Sequence, residues 1–204
     1  MNKEKMKCYL KMFFRSFVWL FILLLTLDII TKQLILASGA NPGTVIMDWG
    51  IVRISFVLNY NAAFGLGFAD KLASRVTYLI SASIMSFGII SFLIIKRKST
   101  NLLIRAAFVL VITGAIGNMI DRTFYGPEYA VVDWIDFYWF WPFVFNIADC
   151  CIVIGAGILI GFTLILEVKE MIKNRQEKVH EGKVISNTEK ERLAEQDKTE
   201  KKDT

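Results

Sequence analysis

Polar and apolar residues in this chain are sorted into blocks. Four blocks of about 20 residues each are nearly all apolar, the length a helix needs to cross a hydrocarbon core roughly 30 Å thick. They cover residues 13–36, 72–95, 102–120 and 144–166. A helix of a soluble bundle carries a polar face, but FVWLFILLLTL, residues 17–27, has Thr26 as its one polar group apart from an indole. A soluble four-helix core is therefore set aside. The first block has the basic start of a cleaved leader. Its apolar run is long, however, and no small-residue cleavage site comes before Asp28 and Lys32, so it reads as a retained span. The expectation is an all-α membrane protein: a four-span domain over residues 1–168, then a charged tail over 169–204. The tail lacks aromatic residues and is rich in Lys, Glu, Asp, Gln, Asn and Thr. It is expected to be disordered beyond its first turns, with a solvated helix as the alternative because NTEKERLAEQ holds good helix formers.

Two connections are long. Residues 37–71 contain IVRISFVL, β-branched and aromatic with partial alternation, which predicts a short strand or hairpin. Residues 121–143 end in the aromatic run WIDFYWFWPF, expected at the headgroup level or as a lid on the membrane surface.

Composition agrees with a membrane chain: 54% of residues are hydrophobic and the mean hydropathy is +0.46. The formal charge of +5 invites a nucleic-acid reading, but the positions argue against one. Lys3, Lys5, Lys7, Lys11 and Arg15 precede the first span. Lys96, Arg97, Lys98 and Arg105 flank the second turn, and Lys169, Lys173 and Arg175 follow the fourth span. Basic residues at alternate span ends put both termini in the cytoplasm and both long connections outside. Cys8, Cys150 and Cys151 form neither a disulfide framework nor a metal spacing. The one histidine, His180, lies in the tail, which removes Ser-His-Asp, Cys-His and His-ligated zinc chemistry. No cofactor is expected, and no His- or Cys-based metal site.

This topology collects the unusual polar residues on one membrane face: Asp28, Lys32, Asn59, Asn61, Asn118, Asp121, Arg122, Asp133, Asp136, Asn146 and Asp149. A charge at mid-membrane costs about 2.5–3.5 kcal/mol, so such convergence marks a functional site by default. Structural readings compete. Asp28 and Lys32, four apart, can neutralise each other. Asp121 and Arg122 can end a helix at the interface. Asn146 can cap a helix whose positive start Asp149 complements. Without a useful histidine, hydrolysis would need two carboxylates sharing a proton, a Ser-Lys pair or a metal bound by carboxylates. In a carboxylate pair Asp149 is one member; spacing alone leaves Asp133 and Asp136 open as the other. The alternatives are a small transporter or channel that relays ions, which belongs with mid-membrane groups and broken helices, and a non-enzymatic binding scaffold.

Five motifs in order then resemble one family. DIITK (residues 28–32) resembles D-x-x-x-K, and NYNAAFG (59–65) resembles N-x-G-A-A-F-G. GAIGNMIDR (114–122) resembles G-x-x-G-N-x-x-D-R, VVDWI (131–135) resembles V-V-D-F-I, and FNIAD (145–149) matches F-N-x-A-D. This is the pattern of signal peptidase II, the lipoprotein signal peptidases, aspartic peptidases of the bacterial cytoplasmic membrane. The resemblance implies four spans with a small extracytoplasmic sheet. It implies catalytic Asp133 and Asp149, which demotes Asp136, and a substrate site of Asn59, Asn118, Arg122 and Asn146. Arg122 would hold a substrate carbonyl; Asp28, Lys32 and Asp121 would support the site. The implied substrate is a diacylglyceryl-modified prolipoprotein, cut before its lipidated cysteine at the outer face. The implied partners are that substrate and membrane lipids, with no nucleic acid and no need for more than a monomer. Asn61 replaces the family's glycine and is expected to tolerate the left-handed backbone glycine would allow. Trp134 replaces Phe.

Overall fold

A computed structural model describes residues 5–6, 16–61, 70–96, 99–125 and 129–200, with side chains followed as far as Glu177. Readings placed on Lys3, Lys7, Cys8, Lys11, residues 13–15, residues 62–65, Arg97, Lys98 and the side chain of His180 lie outside the described residues. The chain divides into two compact units, Met1–Leu159 and Ile160–Thr204. Everything below on packing and the site concerns the first.

Among the described residues, four helices are long and apolar enough to cross a membrane. They are α1 (Val18–Ala37), α2 (Lys71–Ile95), α3 (Leu102–Ile120) and α4 (Ile147–Glu200). Asp70 caps α2 by accepting from the Leu72 N–H at 3.0 Å, and Asn101 caps α3 by accepting from that of Leu103 at 2.8 Å; both satisfy orphan amides of a first turn. α3 runs on into a π-helical turn, Asp121–Tyr125, so the third span is longer than its apolar block. The fourth starts three residues later than the block at 144–166 predicts. Phe145 is held in extended form, pairing with Ile135, and Asn146 is spent on capping. α4 continues as helix to Glu200, which is the solvated-helix alternative for the tail; its A, E, K and Q content supplies the propensity.

Polarity is inverted relative to a soluble helix. The buried residues of α1 are Asp28, Lys32 and Ile35, while Ile22, Leu23 and Leu34 lie exposed, as befits a helix whose outer solvent is lipid. α3 is central and packs against both α1 and α2. Its contact with α4 is made by absent side chains. A Cβ on Gly114 would stand 2.1 Å from the Ala148 carbonyl oxygen, and one on Gly155 would stand 2.7 Å from that of Ala107. Between membrane helices such small-residue contacts replace a hydrophobic driving force.

The loops build a three-stranded antiparallel sheet, β1 (Thr44–Asp48), β2 (Arg53–Asn59) and β3 (Val131–Asp136), in the order β1-β2-β3. The sequence predicted only β2. β1 and β3 are short, and VVDWID shows no clean alternation because its first three residues are all buried. The β1–β2 turn uses Gly50 at φ +78°. Ile35, Phe56 and Val132 form a buried cluster that fixes the sheet to the end of α1. β3 is tied to the start of α4 by the Trp134 and Ile135 N–H groups, which donate to the Phe145 carbonyl at 2.9 and 2.7 Å.

Gly114→Ala is expected to cost about 1–3 kcal/mol by overpacking, read as a lower thermal midpoint in detergent. Gly157→Ala, where a Cβ meets nothing within 4 Å, is expected to be neutral or up to about 1 kcal/mol stabilising through helix propensity.

Candidate active site

Asp133 and Asp149 come from separate backbone segments and meet around one asparagine. Asp133, the third residue of β3, is 1% exposed. Its Oδ1 accepts from Asn146 Nδ2 at 2.6 Å, and its Oδ2 accepts from Asn59 Nδ2 at 2.9 Å. Asp149 lies in the first turn of α4. Its Oδ1 accepts from Asn118 Nδ2 at 2.8 Å, and its Oδ2 accepts from the Asn146 N–H at 3.2 Å. Asn146 Oδ1 accepts in turn from the Asp149 N–H at 2.9 Å. That exchange is a capping box, so the capping role and the site role of Asn146 are the same geometry. Both carboxylates line one cavity. Burial first, and the neighbouring Asp149 charge second, push the Asp133 carboxyl up to about 8, against the opposing hydrogen bonds from Asn59 and Asn146 and the positive charge of Lys32.

Beneath the pair lies a buried ionic cluster. Lys32 Nζ stands 2.7 Å from Asp28 Oδ2 and 2.9 Å from Asp121 Oδ2, and donates to Asn118 Oδ1 at 3.1 Å. The two acids reach onward. Asp28 Oδ1 accepts from the Ala148 N–H at 2.9 Å, and Asp121 Oδ2 accepts from the Val132 N–H at 3.2 Å. Each of those amides belongs to the residue just before a site aspartate. Asp28 and Lys32 do pair in i,i+4 fashion, but that pair is one edge of a larger network.

Asp136 stands apart. It accepts from Ser55 Oγ at 2.8 Å and does not line the cavity. Its offset of three from Asp133 is odd, which in a strand puts the two on opposite faces. Arg122 is 3% exposed. It donates to the chain's own carbonyls, through Nη2 to Asn61 O and through Nη1 to Asn118 O at 3.4 Å. Asn61 does not use the left-handed backbone it was expected to tolerate. Among the described residues the non-glycine positive φ values belong to Phe17 and Tyr129. The Asn61 N–H instead donates to Asn59 Oδ1 at 2.9 Å, an Asx-type turn that glycine is not needed to make.

The cavity is about 830 Å³ and mostly apolar. Its lining includes Asn59, Asn118, Arg122, Asp133 and Asp149 together with Phe137, Phe140, Trp141, Phe143, Val153 and Ile154. The aromatic run therefore supplies a wall, which the sequence analysis read as an interfacial segment or lid. That analysis also passed over Tyr78 and Arg75 of α2. Tyr78 lines the cavity beneath the Arg122 guanidinium, 3.9 Å from ring centre to charge. The signal was a cation early in an apolar span, itself a functional pointer.

Fold and site together define a multi-pass membrane protein whose polar chemistry is gathered at one end of a helical bundle, around two carboxylates. The family model for signal peptidase II, Peptidase A8, matches residues 20–165. The lipoprotein signal peptidase of Haemophilus influenzae strain Rd is 31% identical over 172 residues, 83% of this chain and 92% of that protein. The Haemophilus ducreyi enzyme of the same name is 36% identical over 161 residues, 76% and 94%. The Fusobacterium nucleatum one is 32% identical over 158 residues, 77% and 91%. A solved structure described as a bacterial membrane enzyme, determined by the in meso method at 2.3 Å resolution, superposes with a TM-score of 0.61 at 28% identity, covering 72% of this chain and 86% of that one. The chain belongs to the signal peptidase II family and is a peptidase. The ion-relay alternative is left without support.

Lys32→Met strands Asp28 and Asp121 as buried charges. The expected cost is about 3–5 kcal/mol, measured as loss of folded protein on heating or denaturant titration in detergent. Adding Asp28→Asn and Asp121→Asn to it is expected to restore part of that stability.

Proposed function

We propose that the chain removes the signal peptide of prolipoproteins as an aspartic endopeptidase, cutting before a diacylglyceryl-modified cysteine, with Asp133 and Asp149 as its acid–base pair. The observation that carries this reading is the sharing of Asn146 by two carboxylates on the wall of a largely apolar cavity. Such a cavity suits a scissile bond held near lipid: the apolar part takes the membrane-embedded segment and the polar part the peptide backbone.

Asp133, the more deeply buried of the two, holds the proton; Asp149 is ionised. Asp149 takes a proton from water, whose oxygen attacks the scissile carbonyl carbon, while Asp133 gives its proton to the carbonyl oxygen. In the resulting gem-diol, Asp149 returns its proton to the amide nitrogen as the C–N bond breaks, and Asp133 recovers one from a hydroxyl. No covalent enzyme intermediate forms. Asn59, Asn118 and Asn146 hold the two carboxylates, and Arg122 shapes the wall that the substrate backbone meets. Asp28, Lys32 and Asp121 support the pair from below. Every residue in this scheme comes from one chain, so a monomer suffices. The pattern of basic residues puts both termini in the cytoplasm and the site at the outer face of a bacterial cytoplasmic membrane.

Asp133→Asn and Asp149→Asn are each expected to leave a folded protein that no longer cleaves a lipid-modified precursor peptide, in a gel-shift assay on purified enzyme. Asp136→Asn, off the cavity, is expected to keep cleavage within about threefold of wild type. Equal loss in Asp136→Asn, or retained cleavage in both of the others, defeats the assignment.

The pH profile follows from the raised carboxyl of Asp133. A folded pKa of about 8 lies above the ordinary value of about 3.9, so the group favours folding most at low pH. That contribution fades as pH rises from about 4 through 8. The donor proton is lost over the top of the same window. kcat/KM is therefore expected to fall on an alkaline limb centred near 8, an apparent value belonging to the pair. A flat profile between pH 7 and 9.5 contradicts it.

A further inference from the structure

The first turns of α2 carry three side chains on one face, Lys71, Arg75 and Tyr78 at i, i+4 and i+7. Each takes part in a cation–ring contact with a different segment. Lys71 Nζ stands 3.8 Å from the centre of the Tyr60 ring, the Arg75 guanidinium 3.7 Å from that of Tyr129, and the Arg122 guanidinium 3.9 Å from that of Tyr78. Arg75 Nε also donates to the Arg122 carbonyl at 2.8 Å. The segments held this way border the site. Tyr60 directly follows Asn59, which donates to Asp133. Tyr129, with a left-handed φ of 63°, leads into β3. Arg122 in turn donates to the Asn61 carbonyl. Tyr60, Asn61, Tyr78 and Arg122 all line the cavity.

We propose that Arg75 and Tyr78 are positioning residues: they hold the π-helical turn and the plane of the Arg122 guanidinium, and thereby set the cavity wall at Asn61 that the substrate backbone meets. The proposal rests on the peptidase reading above. Aromatic rings suit this task at a span end. A ring presents a negative face to a cation without bringing a second full charge out of water. A carboxylate in the place of Tyr78 would also add a third acid beside Asp133 and Asp149 and disturb the proton they share.

The test compares steady-state cleavage of a diacylglyceryl-modified precursor peptide by purified wild type, Tyr78→Phe, Tyr78→Leu, Arg75→Met and Arg122→Gln, and by the Tyr78→Leu/Arg122→Gln double variant. Tyr78→Leu is expected to raise KM roughly tenfold, the scale of one desolvated cation–ring contact, with kcat within about threefold and the alkaline limb unmoved. Tyr78→Phe, which keeps the ring and loses only the hydroxyl that meets Asn118, raises KM by less than Tyr78→Leu does. In the Arg122→Gln background Tyr78→Leu adds less than about twofold, because its effect runs through the absent guanidinium. Arg75→Met raises KM in the same sense, and it carries the test alone if Tyr78→Leu does not fold. Additive effects in the double variant, a fall in kcat with a shifted pH limb, or Tyr78→Leu and Arg75→Met both matching wild type overturn the proposal. Absent cleavage by wild type, or retained cleavage by both Asp133→Asn and Asp149→Asn, overturns the aspartic-peptidase reading instead.

Discussion

The site hangs on one ammonium group. Lys32 is buried on an apolar helix and finds Asp28, Asp121 and Asn118 within 3.1 Å. A single positive charge there makes it tolerable to bury two carboxylates. Each carboxylate then uses its remaining capacity on a backbone amide one residue ahead of a site aspartate, Ala148 for Asp149 and Val132 for Asp133. One end of the network is on α1, another at the end of α3, and its arms reach β3 and α4. Four separately encoded segments are thus registered against one another by hydrogen bonds that hydrocarbon and packed protein do not weaken through competition with water.

Asn146 completes the registration from the other side. Its side-chain oxygen and backbone amide serve the helix start, and its side-chain nitrogen serves Asp133. An acid at the head of a membrane helix is costly by itself. Here the carboxylate meets a positive helix terminus and a donor from Asn118, so helix capping and the chemistry use the same bonds. The pairing of Phe145 with Ile135 is what brings β3 to that helix start. The small sheet therefore acts as a delivery device for Asp133 more than as a fold of its own.

The cavity wall is stiffened differently. On its α2 side the contacts run between cations and rings, and Arg122 closes onto carbonyls of its own chain. On the opposite side the wall is aromatic, held through Trp139 Nε1, which donates to the Ile51 carbonyl at 2.9 Å, and Tyr138, whose hydroxyl donates to that of Gly50 at 3.2 Å. The β1–β2 turn thus braces the segment that forms the apolar part. Polar and apolar walls are fixed by different parts of the chain, which lets the polar part stay rigid around two carboxylates while the apolar part is built from bulk.

By itself the sequence determined what depends on short range. Span number followed from apolar length, the i,i+4 pair Asp28–Lys32 from helix spacing, and the Asn146–Asp149 cap from an offset of three. The order of five motifs carried the family. β2 was legible from its β-branched run, whereas β1 and β3 were not: their residues are explained by partners elsewhere in the chain. The preference for Asp133 over Asp136 rests on family resemblance; what the strand VVDWID adds is an odd offset that sends Asp136 to Ser55. Arg75 left a signal, a cation early in an apolar span; Tyr78 left none, because a ring facing a cation makes no pattern along one chain. The backbone of Asn61 answers to Asn59 and Arg122, which its own residue type does not reveal. Tertiary structure alone decided which polar groups meet, since hydrogen bonds and ion pairs in a low-dielectric interior depend on distances of a few ångströms between residues 30 to 120 positions apart.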